Sequence, residues 1–235
     1  YFSLRFKKRT KQGNLIFLMD CNTYLQHLPN VKTLKQLCKG EAVLDWIICG
    51  HEFEVYHTYY KVNEEEYEGY EAQWGHGFED EDGSSLSFYF IDKACLIVPS
   101  SSAEDSKGGD NHDFEKRIPK VFLPYYRKNF SESDIPFVIY SLDGETWQCV
   151  ENFPVEEHID KFEYISTDPM KYKEWAVEYL GDEGFLQEVM SEQTITDLYE
   201  GKVLTEEMVY SLVTEVHDWV DLETELNEMP YRFSF

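Results

Sequence analysis

Pro136-Phe137-Val138-Ile139-Tyr140-Ser141-Leu142-Asp143-Gly144-Glu145-Thr146-Trp147-Gln148-Cys149-Val150 reads as a β-hairpin. Two runs of β-branched and aromatic residues flank Asp143-Gly144, a dipeptide suited to a tight turn. Moving toward the N-terminus, Leu86 to Ile91 and Cys95 to Val98 are further strand-like runs. Phe53 to Val62 alternates Phe53, Val55, His57 and Tyr59 on one face, as a strand does. Phe2 to Phe6 and Leu15 to Met19, separated by the turn chemistry of Thr10 to Asn14, read as an N-terminal hairpin. Val31 to Lys39 has helical spacing and reads as ending at Gly40, while Ala42 to Cys49 suits either state. Moving toward the C-terminus, the period changes. Asp168-Pro169 is an N-cap followed by proline at the first helical position, and Gly181 is a stop. A second helix is expected from Gly184 to Tyr199, and a third from Thr205 to Pro230 with the stripe Val209, Leu212, Val213, Val216, Val220.

The expected fold is therefore α+β: an antiparallel or mixed sheet from the N-terminal two-thirds, with a C-terminal three-helix portion packed against it. With no Pro/Gly-rich linker near residue 155, the chain reads as one compact unit, 1–235, β-rich over 1–155 and helical over 160–230. Ser100 to Asp113 has the composition of a mobile loop.

Charge is divided along the chain. Tyr1 to Gly40 carries eight Lys/Arg against the single acid Asp20, net +7, and Glu41 to Phe235 carries thirteen basic against forty-five acidic side chains, net −32. Within that body Glu41 to Pro99 is −12, Ser100 to Val150 is −3 and Glu151 to Pro230 is −18. The last of these holds twenty-two acids and only four Lys, so intrahelical Glu–Lys pairing is largely forgone. A solubilising surface is the plain explanation of such charge, but like charges at this density also cost stability. Seventeen Tyr, sixteen Phe and five Trp separate the chain from disordered acidic sequences.

The five cysteines, Cys21, Cys38, Cys49, Cys95 and Cys149, form no C-x-x-C pair and sit mostly in apolar runs, so free thiols in a reducing, cytoplasmic setting are expected. No apolar stretch approaches the roughly 20 residues of a membrane span, and the basic start leads into too short an apolar run for a signal peptide.

Motifs for chemistry are weak. His51 and His57 are six apart in a strand-like segment, which separates them by about 20 Å on one face and denies them a shared metal ion. Glu79-Asp80-Glu81-Asp82-Gly83 lacks the glycine and terminal glutamate spacing of a calcium loop. Ser141-Leu142-Asp143-Gly144-Glu145-Thr146-Trp147 resembles the Asp-box hairpin of sialidase-like propellers, S-x-D-x-G-x-T-W, but lacks the residue between Asp and Gly and occurs once. It reads as a tight turn with Trp147 packed inward. There is no nucleophile elbow, P-loop or dinucleotide fingerprint, so no catalytic residue, cofactor or metal is assigned.

The expectation from charge is an acidic binding protein that neutralises a cationic protein: an inhibitor or immunity-type protein facing a toxin, nuclease or other nucleic-acid-binding enzyme, or a mimic of nucleic-acid charge. Direct nucleic-acid binding by the acidic body and membrane attachment are not expected. The expected contact residues are Glu64, Glu65, Glu66, Tyr67, Tyr70, Trp74, Glu79, Asp80, Glu81 and Asp82 in the acidic–aromatic stretch, with Glu215, Asp218 and Asp221 in the last helix. The alternative is a hydrolase using carboxylates, with or without a metal, recognisable by carboxylates or His51 or His57 converging in a cleft.

Overall fold

The computed structural model describes residues 25, 28–50, 55–62, 67–74, 84–101, 114–130, 135, 137–151, 166–180, 186–216 and 218–235. The expected N-terminal hairpin and the expected mobile segment beyond Ser101 lie outside these residues. Helix α1 (Val31–Cys49) comes first, then strands β1 (His57–Val62), β2 (Tyr67–Trp74), β3 (Ser84–Ile91) and β4 (Ala94–Ser101). Helix α2 (Leu123–Phe130) precedes β5 (Phe137–Ser141) and β6 (Gln148–Glu151). Helices α3 (Pro169–Leu180) and α4 (Glu192–Tyr199), strand β7 (Leu204–Thr205), helices α5 (Glu206–Tyr210) and α6 (Trp219–Glu228) and strand β8 (Phe233–Ser234) follow. The fold is α+β, as its sequence pattern predicts.

Strands β1 to β6 form a six-stranded sheet in sequence order, each antiparallel to the next. Both faces are covered. Even positions Phe88 and Phe90 of β3, with Ile97, Phe137 and Ile139, share a hydrophobic cluster with α1 and the C-terminal helices. Odd position Tyr89, with Leu96, Val98 and Val138, packs on Phe122, Tyr125, Tyr126 and Phe130 from α2 and the turn before it. This two-sided burial explains why Phe88 to Phe90 and Ala94 to Val98 read as continuous apolar runs rather than alternating ones.

The β5–β6 hairpin forms as its sequence predicts, with Tyr140 opposite Gln148 and Phe137 opposite Glu151. Asp143 Oδ1 accepts from the backbone N–H groups of Glu145 (2.9 Å) and Thr146 (2.8 Å), and Asp143 also takes the Thr146 hydroxyl. Gly144, at φ 89°, occupies left-handed backbone, and its carbonyl accepts from Val31 N–H at 2.9 Å. Trp147 is half-buried, its indole N–H donating to Pro29 O at 2.8 Å. The turn is thus latched to the start of α1.

Three boundaries differ from expectation. Helix α1 passes through Gly40 and ends at Gly50, whose N–H donates to Trp46 O at 3.1 Å. Gly40 is the seat of a close crossing: a Cβ there would lie 2.8 Å from Tyr199 Cδ1 and 3.0 Å from the Leu198 backbone. The expected helix from 184 begins only at Glu192, capped by Ser191, whose hydroxyl accepts from Thr194 N–H at 3.2 Å. The expected third helix is two, α5 and α6, with residues 211–218 between them. Asp218 resets the phase by accepting from Val220 N–H (2.8 Å) and Asp221 N–H (3.3 Å), so Leu222 and Leu226 take the core positions and Val220 is 71% exposed. By contrast Asp168 and Pro169 start α3 as read, with Met170 N–H donating to Asp168 Oδ1 at 3.0 Å.

Cys38, Cys49 and Cys95 are buried free thiols. Cys149 is disulfide-bonded, which corrects the expectation of five free thiols and is disfavoured in a reducing compartment. Among the described residues no helix is long and apolar enough to cross a membrane.

Candidate functional site

Residues 186–235 contain twelve acids and two cations, Lys202 and Arg232. Both cations are engaged at one corner: Lys202 Nζ pairs with Asp197 Oδ1 (2.7 Å) and Glu200 Oε2 (3.1 Å), and Arg232 Nη2 donates to Gly201 O at 3.0 Å. The Lys202 hydrogen bond holds the Asp197 carboxyl below its ordinary value. Glu192 pairs with Lys173 of α3 at 2.9 Å. Glu206, Glu207, Glu215, Asp218, Glu223 and Glu228 are exposed, and none of them pairs with a cation among the described residues.

Aromatic rings lie among these carboxylates. Thr205 caps α5, its hydroxyl accepting from Met208 N–H at 3.3 Å, and Glu206 and Glu207 occupy the first turn, where the helix dipole favours them. One turn later stands Tyr210, 41% exposed, and helical spacing sets Glu206 and Glu207 beside it. The Tyr210 ring meets Trp219 edge-on at 5.8 Å, Trp219 meets Phe235 at 4.7 Å, and Phe235 meets Phe233 at 5.1 Å. Phe235 is also 41% exposed. Asp218 precedes Trp219, and Glu223 follows it by four residues on the same helix, hence on the same side. Strand β8 holds Phe233 in place by pairing parallel to β7. The result is an aromatic row, exposed at Tyr210 and Phe235 and half-buried at Trp219 and Phe233, with a carboxylate rim.

The expected contact residues divide sharply. Glu64, Glu65, Glu66, Glu79, Asp80, Glu81 and Asp82 lie outside the described residues, and Trp74 closes β2 opposite Ser84. Tyr67 and Tyr70 are core residues, which corrects their placement on an outward face. Tyr67 packs its ring 4.4 Å from that of Tyr125, and Tyr70 donates its hydroxyl to Glu41 Oε2 at 2.5 Å. Their interleaving with acids suggested a surface, but β2 lies inside a sheet covered on both faces. Glu68 between them is drawn in by Lys35 (2.7 Å), Lys39 (3.0 Å) and the Tyr59 hydroxyl. Burial would raise the Glu68 carboxyl, but these donors outweigh it and bring it down to about 2. Glu215 and Asp218 are exposed, and Asp221 is half-buried in the first turn of α6. Sequence reasoning missed Tyr210, Trp219, Phe233 and Phe235. The alternation of Phe233 and Phe235 around Ser234 was the available signal.

A second polar cluster lies under α1. Glu41 and Asp45 stand one turn apart and are both buried. Asp45 Oδ2 accepts from the N–H groups of Tyr56 (2.6 Å) and His57 (2.9 Å). Its Oδ1 accepts from the Tyr172 hydroxyl (3.1 Å) and lies 3.1 Å from His57 Nδ1. The His57 ring stacks on Tyr70 at 6.3 Å and meets the edge of Trp175 at 5.0 Å. Burial pushes the Glu41 carboxyl up to about 7, against the opposing pull of His57 and the Tyr70 hydroxyl. Burial would lower the His57 imidazole, but Asp45 overrides it and holds the imidazole above its ordinary value.

Carboxylates do converge on His57 here, yet inside the core: Asp45 is 0% exposed and Tyr172 and Trp175 of α3 lie over the pair. The cluster ties α1, β1, β2 and α3 together, and through a Glu41–Tyr199 hydrogen bond also α4. Its chemistry is that of a structural crosslink. Among the described residues no group of three or more His, Cys, Asp or Glu is placed to hold a metal ion. No protein-family model matches the sequence, and no curated protein and no solved structure is significantly similar to the chain.

Proposed function

We propose that this chain is an acidic binding protein whose role is to cover and neutralise a cationic protein, as an inhibitor, an immunity-type protein or a mimic of nucleic-acid charge does. The observation that carries the reading is the carboxylate rim of α5 and α6, exposed, with the region's two cations both engaged elsewhere. A face of one sign raises the encounter rate with an oppositely charged partner and rejects like-charged ones. With a net charge of −25 the chain as a whole adds to that field. Polyphosphate is repelled, so a nucleic acid is a poor partner and a protein that binds nucleic acid is a good one. Exposed Tyr210 and Phe235 supply the apolar contact that charge alone lacks. The test is affinity capture from the native host at low and at high salt, followed by mass spectrometry and binding of the purified candidate. A basic protein held at low salt and released by salt is expected. Retention indifferent to salt, or retention of acidic proteins, overturns the reading.

A further inference from the structure

We propose that the aromatic row Tyr210–Trp219–Phe235 is the seat of an arginine side chain presented by the protein partner, with Glu206, Glu207 and Asp218 as its counter-charges. The inference rests on the cationic-partner reading and names the contact within it. Three rings lie in edge-to-face sequence at 5.8 and 4.7 Å, and the outer two, Tyr210 and Phe235, are each 41% exposed. Exposed rings attract a cation through the negative charge of their faces, most strongly where water is partly excluded. A carboxylate rim adds the counter-charge and specifies the sign.

The fold already uses this combination internally. Lys39 Nζ stands 4.8 Å from the centre of the Tyr59 ring and 3.0 Å from Glu68 Oε2, and Lys35 stands 5.9 Å from the Phe90 ring and 2.7 Å from the other Glu68 oxygen. At the α5–α6 face the rings and carboxylates are present and no cation of the chain serves them among the described residues. Arginine fits better than lysine because its planar guanidinium stacks on a ring while its N–H fork meets carboxylates, and because it gives up water more readily than an ammonium group. A second copy of this chain is a poor occupant, since two bodies of net charge −25 repel. An anionic lipid surface is repelled for the same reason.

The test uses the full chain and two synthetic peptides of equal length and charge, one carrying arginines and the other lysines at the same positions. Binding is measured by calorimetry at low and at high salt. The arginine peptide is expected to bind more tightly by about two- to fivefold, the worth of one cation contact at an exposed ring. Tyr210→Ala and Phe235→Ala, each checked for an unchanged melting temperature, should erase that preference, whereas Tyr210→Phe should keep it. Glu206→Gln with Glu207→Gln should weaken both peptides together. If both peptides bind equally and with salt sensitivity, the inference is overturned and the cationic-partner reading stands. An arginine preference that survives Tyr210→Ala together with Phe235→Ala also overturns it. If neither peptide binds at low salt, the inference and the wider reading fail together.

Discussion

Replacing Glu41 by Gln should change the pH dependence of folding in a defined way. In the native state Glu41 sits in the core between the hydroxyls of Tyr70 and Tyr199, and burial lifts its carboxyl from 4.5 to about 7. The folded chain therefore binds this proton more tightly than the unfolded chain does. The stability tied to it is fully present below pH 4.5, is lost as pH rises through about 7, and changes no further above that. A difference of roughly 2.5 pH units at about 1.4 kcal/mol per unit amounts to about 3 kcal/mol. His57, also raised, acts with the same sign above pH 6.5. Glutamine keeps the shape and can still accept the Tyr70 hydroxyl, but it has no proton to lose. Urea unfolding from pH 4.5 to pH 8.5 should thus show the variant gaining on the wild type by about 3 kcal/mol as pH rises. With a urea slope of about 1–3 kcal/mol per molar, that is a relative midpoint shift of about 1–3 M. Two curves that stay parallel across the whole range would mean that Glu41 titrates alike in both states, contrary to its burial in the fold.

Three further outcomes are expected. Gly40→Ala should lower stability by about 1–2 kcal/mol in a thermal or urea melt despite alanine's better helix propensity, because the new methyl meets Tyr199 and the Leu198 backbone; a gain would show that α4 can retreat. Asp218→Ala should cost about 1 kcal/mol through loss of the α6 cap, and Asp218→Asn should restore most of it. Glu68, held down to about 2, contributes stability that is present above pH 4.5 and lost as pH falls toward 2, so Glu68→Gln should flatten the acid limb of the stability curve.

Local rules carried the sequence reading where local interactions decide structure. Asp143-Gly144 and Asp168-Pro169 are punctuation that no distant contact overrides, and both features appear where they were read. Gly40 looks like the same punctuation but serves the crossing of α1 with α4, a contact 159 residues away in sequence from Gly40 to Tyr199. The stripe from Val209 to Val220 fits one helix by spacing alone; the Asp218 side chain competes for the backbone and starts another. Tyr67 and Tyr70 were misplaced because interleaved acids imply solvent only if one face of the strand is free, and cover on both faces is a tertiary fact. Glu41 and Asp45 are one turn apart in a helix and look like surface acids until His57 and three tyrosines are brought to them by other elements. Glu215 and Asp218 are exposed, but in the connection between α5 and α6 rather than on a face of the single helix that the spacing implies. The aromatic row beside them was not legible, since it depends on how β8 returns to β7.

The proposed role of the α5–α6 face is to act through its charge on a cationic protein surface. Its most direct test is calorimetric titration of the full chain with the arginine peptide across a range of salt. The wild type is compared with a variant carrying Glu206→Gln, Glu207→Gln, Glu215→Gln, Asp218→Asn and Glu223→Gln. Wild-type affinity is expected to fall steeply as salt rises, and the variant to bind more weakly with a shallower salt slope. Equal affinities and equal slopes for the two proteins would contradict the proposed role.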